Sequence, residues 1–307
     1  MAFQRIGILS IGEMGYHWAR LLANHGIEVL TCLKDRSEVT CKRAENAGIR
    51  SVPSLERLVS ESDLIVSVVV PFAAGRVASK VAKALIKVGK KDFFYLDANA
   101  ISPMTVRGIE ENLSRSQANF IDGCIIGSAT KLNKGTVIYV SGPGTEQMLA
   151  LEQFGFSVRV LGPDIGQASA FKIVYAGLTK GLQGLFVELL IGARKFGLLG
   201  EILKQYDESF PGLPGKVGQS IAALPVHAGR RAEEMVELSQ TFRHYGLKAV
   251  MAPATRKVLK SIASLNVGKA SEVGAREGGL LETVELFFQQ GLLREKGKGE
   301  NNKANLT

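Results

Sequence analysis

A short glycine-containing loop near the start of the chain has the residue types that bind a dinucleotide. The segment S-I-G-E-M-G, residues 10–15, directly follows an apolar stretch, residues 5–9, that is typical of a strand. Glycines at 12 and 15 permit a close approach of the backbone to a pyrophosphate and close helix–strand packing. Ser10 stands where a tight-turn glycine is usual, and a positive φ there would be strained. The cofactor-binding residues predicted in this loop are Ser10, Ile11, Gly12, Glu13, Met14 and Gly15. The alternative is a strand–turn–helix corner that needs glycine only for packing.

The loop after the second predicted strand bears on the choice between the two nicotinamide dinucleotides. Asp35 lies 20 residues after Gly15, where an acid can bind the ribose 2′-hydroxyl of NAD. Lys34 and Arg36 flank this acid and Ser37 follows it, and such a set can hold the 2′-phosphate of NADP. The pattern therefore favours NADP over NAD. A solvated surface turn that touches no ligand is the alternative.

The elements that must position these loops alternate between strand-like and helix-like segments. The run D-L-I-V-S-V-V-V, residues 63–70, has the composition of a strand buried on both faces of a parallel sheet. This alternation predicts an α/β, Rossmann-like, doubly wound domain over residues 1–162. Helical spacing then predicts an all-α domain over residues 163–293, beginning with a long interdomain helix at 168–196. The polar composition of residues 294–307 predicts a disordered tail.

Composition and charge limit the classes of function. The chain has 307 residues, of which 46% are hydrophobic, and this fits two globular domains. The net charge is +9, but the basic residues are scattered, so an anionic small molecule is expected as a partner rather than nucleic acid. Three cysteines without a C-x-x-C pair, no uncharged apolar run of 18 residues and no signal-peptide pattern predict a cytoplasmic protein without a membrane span. The sequence contains no H-x-x-x-H motif and no acid-rich metal set, so no metal site is predicted.

Four segments in a fixed order add a more specific signal. They are I-G-E-M-G (11–15), L-D-A-N-A-I-S-P (96–103), F-I-D-G-C-I-I-G-S (120–128) and G-Q-A-S-A-F-K (166–172). Together they resemble the β-hydroxyacid dehydrogenases, the group of 3-hydroxyisobutyrate dehydrogenase and of the cofactor domain of 6-phosphogluconate dehydrogenase. The later segment H-A-G-R-R-A-E-E-M-V-E-L (227–238) resembles a helical domain of unknown function that is often attached to this cofactor domain.

The resemblance implies roles for individual residues. Lys172 matches the family's catalytic lysine, which would exchange a proton with the substrate's hydroxyl or carbonyl oxygen; an ordinary surface lysine is the alternative. The residues implied to bind the substrate are Asn99, Ser102, Gly127, Ser128 and Tyr175, and those implied to contact the cofactor are Val70, Pro71 and Asn99. Ser102 precedes a proline, so it also fits a helix N-cap. A plain turn at Gly127 and Ser128, and simple packing of Tyr175, are the corresponding alternatives.

The chain departs from the family pattern where a substrate would be held. Ile126 and Ser128 stand where the family has serine and glycine, and Tyr175 and Ala176 stand where it has two asparagines. These positions would hold the carboxylate and the hydroxyl of the substrate. The identity of the hydroxy acid is therefore left open.

The function implied by the resemblance is hydride transfer between NAD(P) and a small β-hydroxy acid or its keto form. Two alternatives are an NADP-binding reductase of C=N bonds, since imine reductases share this fold, and a nucleotide-binding protein without catalysis. Glycines at 177, 181, 184 and 192 predict close packing of the long helix against another helix or a neighbouring subunit. A glycine-bearing long helix followed by an all-helical domain resembles how this family builds its intersubunit clefts, so the resemblance implies a homodimer.

Overall fold

The chain folds into two compact units, which a computed structural model describes over residues 3–265 and 279–294. The units are Met1–Ile173 and Val174–Thr307. The domain boundary predicted after residue 162 precedes the first turns of the long helix, and those turns are part of the first unit. All of the predicted tail except residue 294 lies outside the described residues.

The first unit is built on one eight-stranded sheet with the order β3-β2-β1-β4-β5-β6-β7-β8. The strands are β1 Arg5–Leu9, β2 Glu28–Thr31, β3 Arg50–Ser51, β4 Leu64–Ser67, β5 Phe94–Asp97, β6 Asn119–Ile126, β7 Val137–Ser141 and β8 Ser157–Gly162. Neighbouring strands are parallel except β6 and β7, which are antiparallel. The order of the first six strands is that of the doubly wound dinucleotide-binding fold, so the predicted fold class is confirmed.

Alternate side chains of the strands enter two separate cores, because helices cover both faces of a parallel sheet. Ile8 and Val66 belong to one cluster of buried residues, whereas Leu9 and Ile65 belong to the other. The helices of this part are α1 Glu13–Ala23, α2 Glu38–Asn46, α3 Leu55–Glu61, α4 Ala74–Val88 and α5 Pro103–Ser114. A 3₁₀ helix, Thr145–Phe154, lies between β7 and β8.

A 29-residue helix, α6 Gln167–Lys195, leads from the first unit into the second. The second unit continues with α7 Leu199–Ser209, α8 Leu213–Ala222, α9 Leu224–His244, α10 Met251–Ser264 and α11 Leu280–Gln289. Two of the predicted close approaches of α6 are present in this unit. A Cβ atom on Gly177 would lie 2.8 Å from Leu238 in α9, and one on Gly184 would lie 3.3 Å from Thr255 in α10.

The α6 helix also carries an exposed apolar stripe. Val174 is 59% exposed and Leu178 is 65% exposed, and Leu185 and Leu189 continue the same face of the helix. In the described part of the chain, α6 is the one helix whose length and composition would suffice to cross a membrane. A long core helix meets the same criterion, and Lys172 and Lys180 interrupt its apolar sequence.

Candidate active site

The loop between β1 and α1 has the backbone shape of an anion-binding turn. Ser10 adopts φ = 74°, in the left-handed region that favours glycine. A Cβ atom on Gly15 would come within 2.1 Å of the carbonyl oxygen of Ser10, so only glycine lets α1 lie this close to the strand. The N-cap of α1, Gly12, has no side-chain cap. The amides of the first turn are therefore available to a phosphate, which the helix dipole also attracts.

A basic cleft of 440 Å³ lies beside the carboxyl end of β2. Its polar lining from the β2–α2 loop is Lys34, Asp35 and Arg36, and it is faced by Lys80, Lys83 and Lys87 of α4. Asp35 has a positive φ of 60°, and Lys87 pairs with Glu56 at 3.2 Å. Ser37 does not line this cleft. Its hydroxyl instead caps α2 by accepting from the Thr40 amide. The α4 lysines were missed from the sequence, although the i, i+3, i+7 spacing of Lys80, Lys83 and Lys87 places them along one side of the helix.

A second cleft, of 230 Å³, brings four of the predicted segments together, and we call it the Lys172 cleft. Its lining residues are Met14, Val68, Val69, Pro71, Ala98, Asn99, Ala100, Cys124, Ile125, Gly127 and Lys172. The Lys172 ammonium is half-buried and donates to the Ile125 carbonyl oxygen at 2.6 Å. This bond holds Nζ at the end of β6 next to the other lining groups. Burial raises the pKa of the Cys124 thiol to about 12, so this thiol stays protonated.

Asn99 is the most enclosed polar residue of the Lys172 cleft, being 3% exposed. Its side-chain Nδ2 donates to Asp97 Oδ1 at 2.8 Å and to Ser67 Oγ at 3.1 Å. Its backbone amide also donates to Asp97 Oδ1, at 3.1 Å. Within the described residues, Asn99 Oδ1 and Asp97 Oδ2 have no hydrogen-bond partner. The site therefore contains a buried amide oxygen that a ligand could satisfy.

Two buried aspartates sit side by side at this edge of the sheet, and the sequence motifs did not assign them a role. Asp97 and Asp122 are register partners on β5 and β6. Asp122 accepts from Ser141 Oγ, from the amides of Gly166 and Ser169, and from Ser169 Oγ. It thereby caps the start of α6, the helix that carries Lys172. Burial, with a smaller contribution from the charge of Asp122, raises the pKa of Asp97 to about 7 against the opposing hydrogen bonds from Asn99.

Other predicted site residues lie outside both clefts. The Ser102 hydroxyl caps α5 by accepting from the Thr105 amide at 3.2 Å. The Ser128 hydroxyl lies 3.2 Å from that of Thr130, in an exposed turn. Val70 is exposed beside Pro71, and Tyr175 belongs to the second unit. In the described parts of the chain, no group of three His, Cys, Asp or Glu side chains could hold a metal ion.

The geometry fits a nicotinamide dinucleotide. The glycine loop offers its amides to a pyrophosphate, the basic cleft lies at the end of β2, and Asn99 Oδ1 lacks a partner in the Lys172 cleft. These features follow the edge of the sheet formed by the carboxyl ends of β2, β1, β4 and β5, where doubly wound folds bind ligands. These groups are therefore suited to bind an extended anion that carries a polar ring at one end.

Comparison with known proteins supports the same assignment. Residues 5–154 match the model of the NAD-binding domain of 6-phosphogluconate dehydrogenase, and residues 193–262 match a domain of unknown function, DUF1932. An uncharacterized 28.5 kDa protein of Methanothermus fervidus is 30% identical over 263 residues, which is 84% of this chain and 98% of that protein. Mitochondrial 3-hydroxyisobutyrate dehydrogenase of Bos taurus is 24% identical over 148 residues, covering 48% of this chain and 44% of the enzyme.

Solved structures give the same architecture. A conserved protein of unknown function, described as structurally similar to 3-hydroxyacid dehydrogenases, matches with a TM-score of 0.73 and 27% identity. The match covers 85% of this chain and 97% of that protein's chain. An imine reductase of Bacillus cereus has a TM-score of 0.61 at 14% identity, over 92% of this chain and 98% of its own, which shows a shared fold. The chain belongs to the family in which the NAD-binding domain of 6-phosphogluconate dehydrogenase precedes a DUF1932 domain, with the fold of the 3-hydroxyacid dehydrogenases.

Proposed function

We propose that this protein is an NADP(H)-dependent oxidoreductase that interconverts a small β-hydroxy acid and its keto form. The observation that carries the proposal is the position of Lys172, whose Nζ is held by the Ile125 carbonyl in the same cleft as Asn99 and Gly127. Bovine 3-hydroxyisobutyrate dehydrogenase, which is similar to 48% of this chain, acts on a β-hydroxy acid. The bound nicotinamide would supply or accept the hydride.

The role of Lys172 follows from the chemistry of its side-chain amine, which accepts a proton when it is neutral and donates one as the ammonium. Oxidation of an alcohol releases the hydroxyl proton, and Lys172 Nζ would accept this proton; in the reverse direction it would return the proton to the carbonyl oxygen. The Ile125 carbonyl accepts one N–H of Lys172 and so fixes the direction of the amine. We assign the backbone around Gly127 and Ser128 to the carboxylate of the substrate, because Gly127 lines the Lys172 cleft.

The preference for NADP rests on charge. Lys34, Arg36, Lys80 and Lys83 are four cations of the basic cleft, against the single acid of the β2–α2 loop, Asp35. Lys87 is already paired with Glu56. A 2′-phosphate carries negative charge and several acceptor oxygens, so this cleft would favour NADP over NAD, whose ribose offers only a hydroxyl.

The test is a panel of hydroxy acids and their keto forms, followed through the absorbance of the reduced nicotinamide. Lys172→Ala is expected to lower kcat by about 10²-fold or more at pH 7, because general acid–base catalysis contributes a factor of this size. Lys204→Ala, which changes an exposed lysine on α7, is the matched control and should leave kcat unchanged. Full turnover by Lys172→Ala would refute the catalytic role. Tight NADPH binding without turnover across the panel would favour the non-catalytic alternative, and turnover of imines alone would favour the imine reductase.

Two further assignments accompany the proposal. We infer that the protein is a homodimer and that the exposed stripe of α6, including Val174 and Leu178, is covered by a second copy, because contiguous apolar surface of this kind marks interaction sites. We also propose that the protein is cytoplasmic. The free cysteines Cys32, Cys41 and Cys124 support this location, because thiols stay reduced there.

A further inference from the structure

We propose that Asp97 is a positioning residue that holds the Asn99 amide with its oxygen free, so that Asn99 acts as a hydrogen-bond acceptor for the nicotinamide nucleoside half of the cofactor. The ligand group would be a donor: a carboxamide N–H or a ribose O–H. This role rests on the proposed binding of NADP(H). It assigns a function to a buried aspartate that does not itself line the Lys172 cleft.

The polarity of Asn99 follows from its partners. A side-chain amide has two N–H donors, and both are used inside the protein, one by Asp97 Oδ1 and one by Ser67 Oγ. The opposite orientation of the amide would place its oxygen against Asp97 Oδ1 and lose the 2.8 Å bond to that carboxylate. Oδ1 is thus the unused polar atom of Asn99, and it has no partner among the described residues although Asn99 is buried. A buried acceptor without a partner is unfavourable unless a ligand satisfies it.

The surroundings of Asp97 argue against a purely structural role. In the described parts of the chain, both hydrogen bonds that Asp97 accepts come from Asn99, and its Oδ2 atom has no partner. Its neighbour Asp122, by contrast, anchors the start of α6 through four hydrogen bonds. Asp97 is 1% exposed and lies beside this second carboxylate. A buried carboxyl group whose hydrogen bonds hold so little of the fold is explained by the residue that it orients.

The experiment measures the dissociation constants of NADPH and of 2′,5′-ADP for the full-length protein by titration calorimetry. 2′,5′-ADP lacks the nicotinamide half and therefore reports binding at the basic cleft alone. Asp97→Leu, which has a similar shape but no acceptor, and Asn99→Ala are each expected to weaken NADPH about tenfold, the loss typical of one hydrogen bond to a buried group. Neither variant should change the affinity for 2′,5′-ADP by more than about twofold.

The conservative variant Asp97→Asn separates positioning from charge. Both bonds from Asn99 end on the same oxygen, Oδ1, and an asparagine side chain at this position keeps that oxygen. Asp97→Asn should therefore bind NADPH within about twofold of the wild type, a rescue that a general structural defect would not show. Ser67→Ala removes the other acceptor of Asn99 Nδ2 and provides a second measurement if Asp97→Leu does not fold; it should weaken NADPH and spare 2′,5′-ADP.

The 3-acetylpyridine analogue of NADP, which replaces the carboxamide by a methyl ketone, distinguishes the two donors. If the carboxamide N–H is the donor, the wild type binds the analogue less tightly than NADP and Asn99→Ala binds both alike. If a ribose O–H is the donor, Asn99→Ala weakens both ligands equally. The proposal is overturned if Asp97→Leu and Asn99→Ala bind NADPH as the wild type does, or if 2′,5′-ADP weakens in parallel. Wild-type protein that binds neither ligand would overturn the proposed function and this role together, whereas normal wild-type binding with silent variants would overturn this role alone.

Discussion

Replacing Asp97 by asparagine should stabilise the protein, and increasingly so as the pH rises. The pKa of Asp97 is raised from the ordinary 3.8 to about 7 because the carboxyl is buried. The folded protein therefore binds this proton more tightly than the unfolded chain does. Its contribution to stability is fully present below pH 3.8 and is lost as the pH rises to about 7. The substituted amide would remain neutral throughout and keep the oxygen that accepts from Asn99.

The size of the effect follows from the same values. From pH 5 to about pH 7, the carboxyl is ionised in the unfolded chain but still protonated in the folded protein. The free energy of unfolding of the wild type therefore falls by about 1.4 kcal/mol for each of these two pH units, or about 3 kcal/mol by pH 8. The stability of Asp97→Asn relative to wild type should rise by this amount over the same interval. Other titratable groups behave alike in both proteins, so their contributions cancel from the difference in the free energy of unfolding.

Urea unfolding followed by tryptophan fluorescence provides the assay. The single tryptophan, Trp18, is fully buried in the first unit, so its emission reports the unfolding of that unit. Asp122→Asn is the matched control, since the same substitution on the next strand removes one of two carboxylate oxygens that between them accept four hydrogen bonds, and it should destabilise the protein by about 1–3 kcal/mol. A difference between Asp97→Asn and wild type that stays constant from pH 5 to pH 8 would refute the reasoning.

Three further substitutions test other parts of the molecule. The double variant Lys80→Ala and Lys83→Ala should weaken NADP about tenfold and leave NAD within about twofold, as measured by calorimetry, because only the 2′-phosphate needs these cations; equal losses for both dinucleotides would contradict this. Ser10→Gly should raise the free energy of unfolding by about 1 kcal/mol, because it relieves the positive φ of 74°; a lower Tm would count against the predicted strain. Leu178→Glu should convert the proposed dimer into a monomer in light scattering, whereas Val39→Glu, on exposed α2, should not.

The cofactor loop and the fold class could be predicted from the sequence because their determinants are local. Gly15 follows a strand-like stretch and opens a helical one, and the structure shows that a Cβ atom there would collide with Ser10. The alternation of strand-like and helix-like segments predicted the doubly wound sheet that the structure shows. The left-handed conformation of Ser10 was foreseen only as a cost, since serine itself does not require it.

The remaining features depend on residues far apart in sequence. The α4 lysines join the β2–α2 loop in one cleft, although their periodicity alone is that of a solvated helix face. Ser102 and Ser37 fitted a ligand-binding pattern, yet their hydroxyls cap helices. A motif cannot separate these two uses of a serine, because capping and ligand binding draw on the same oxygen.

By itself, the sequence determined the elements, the glycine turn and the residue types available at each strand end, because propensity, periodicity and backbone freedom act over a few residues. Only the tertiary structure decided which of these groups meet. Parallel pairing places Ser67, Asp97 and Asp122 in one row across β4, β5 and β6, and the antiparallel β7 adds Ser141. That row orients Asn99 and holds the start of α6, and these contacts exist because the register of the sheet aligns residues of strands that are distant along the chain.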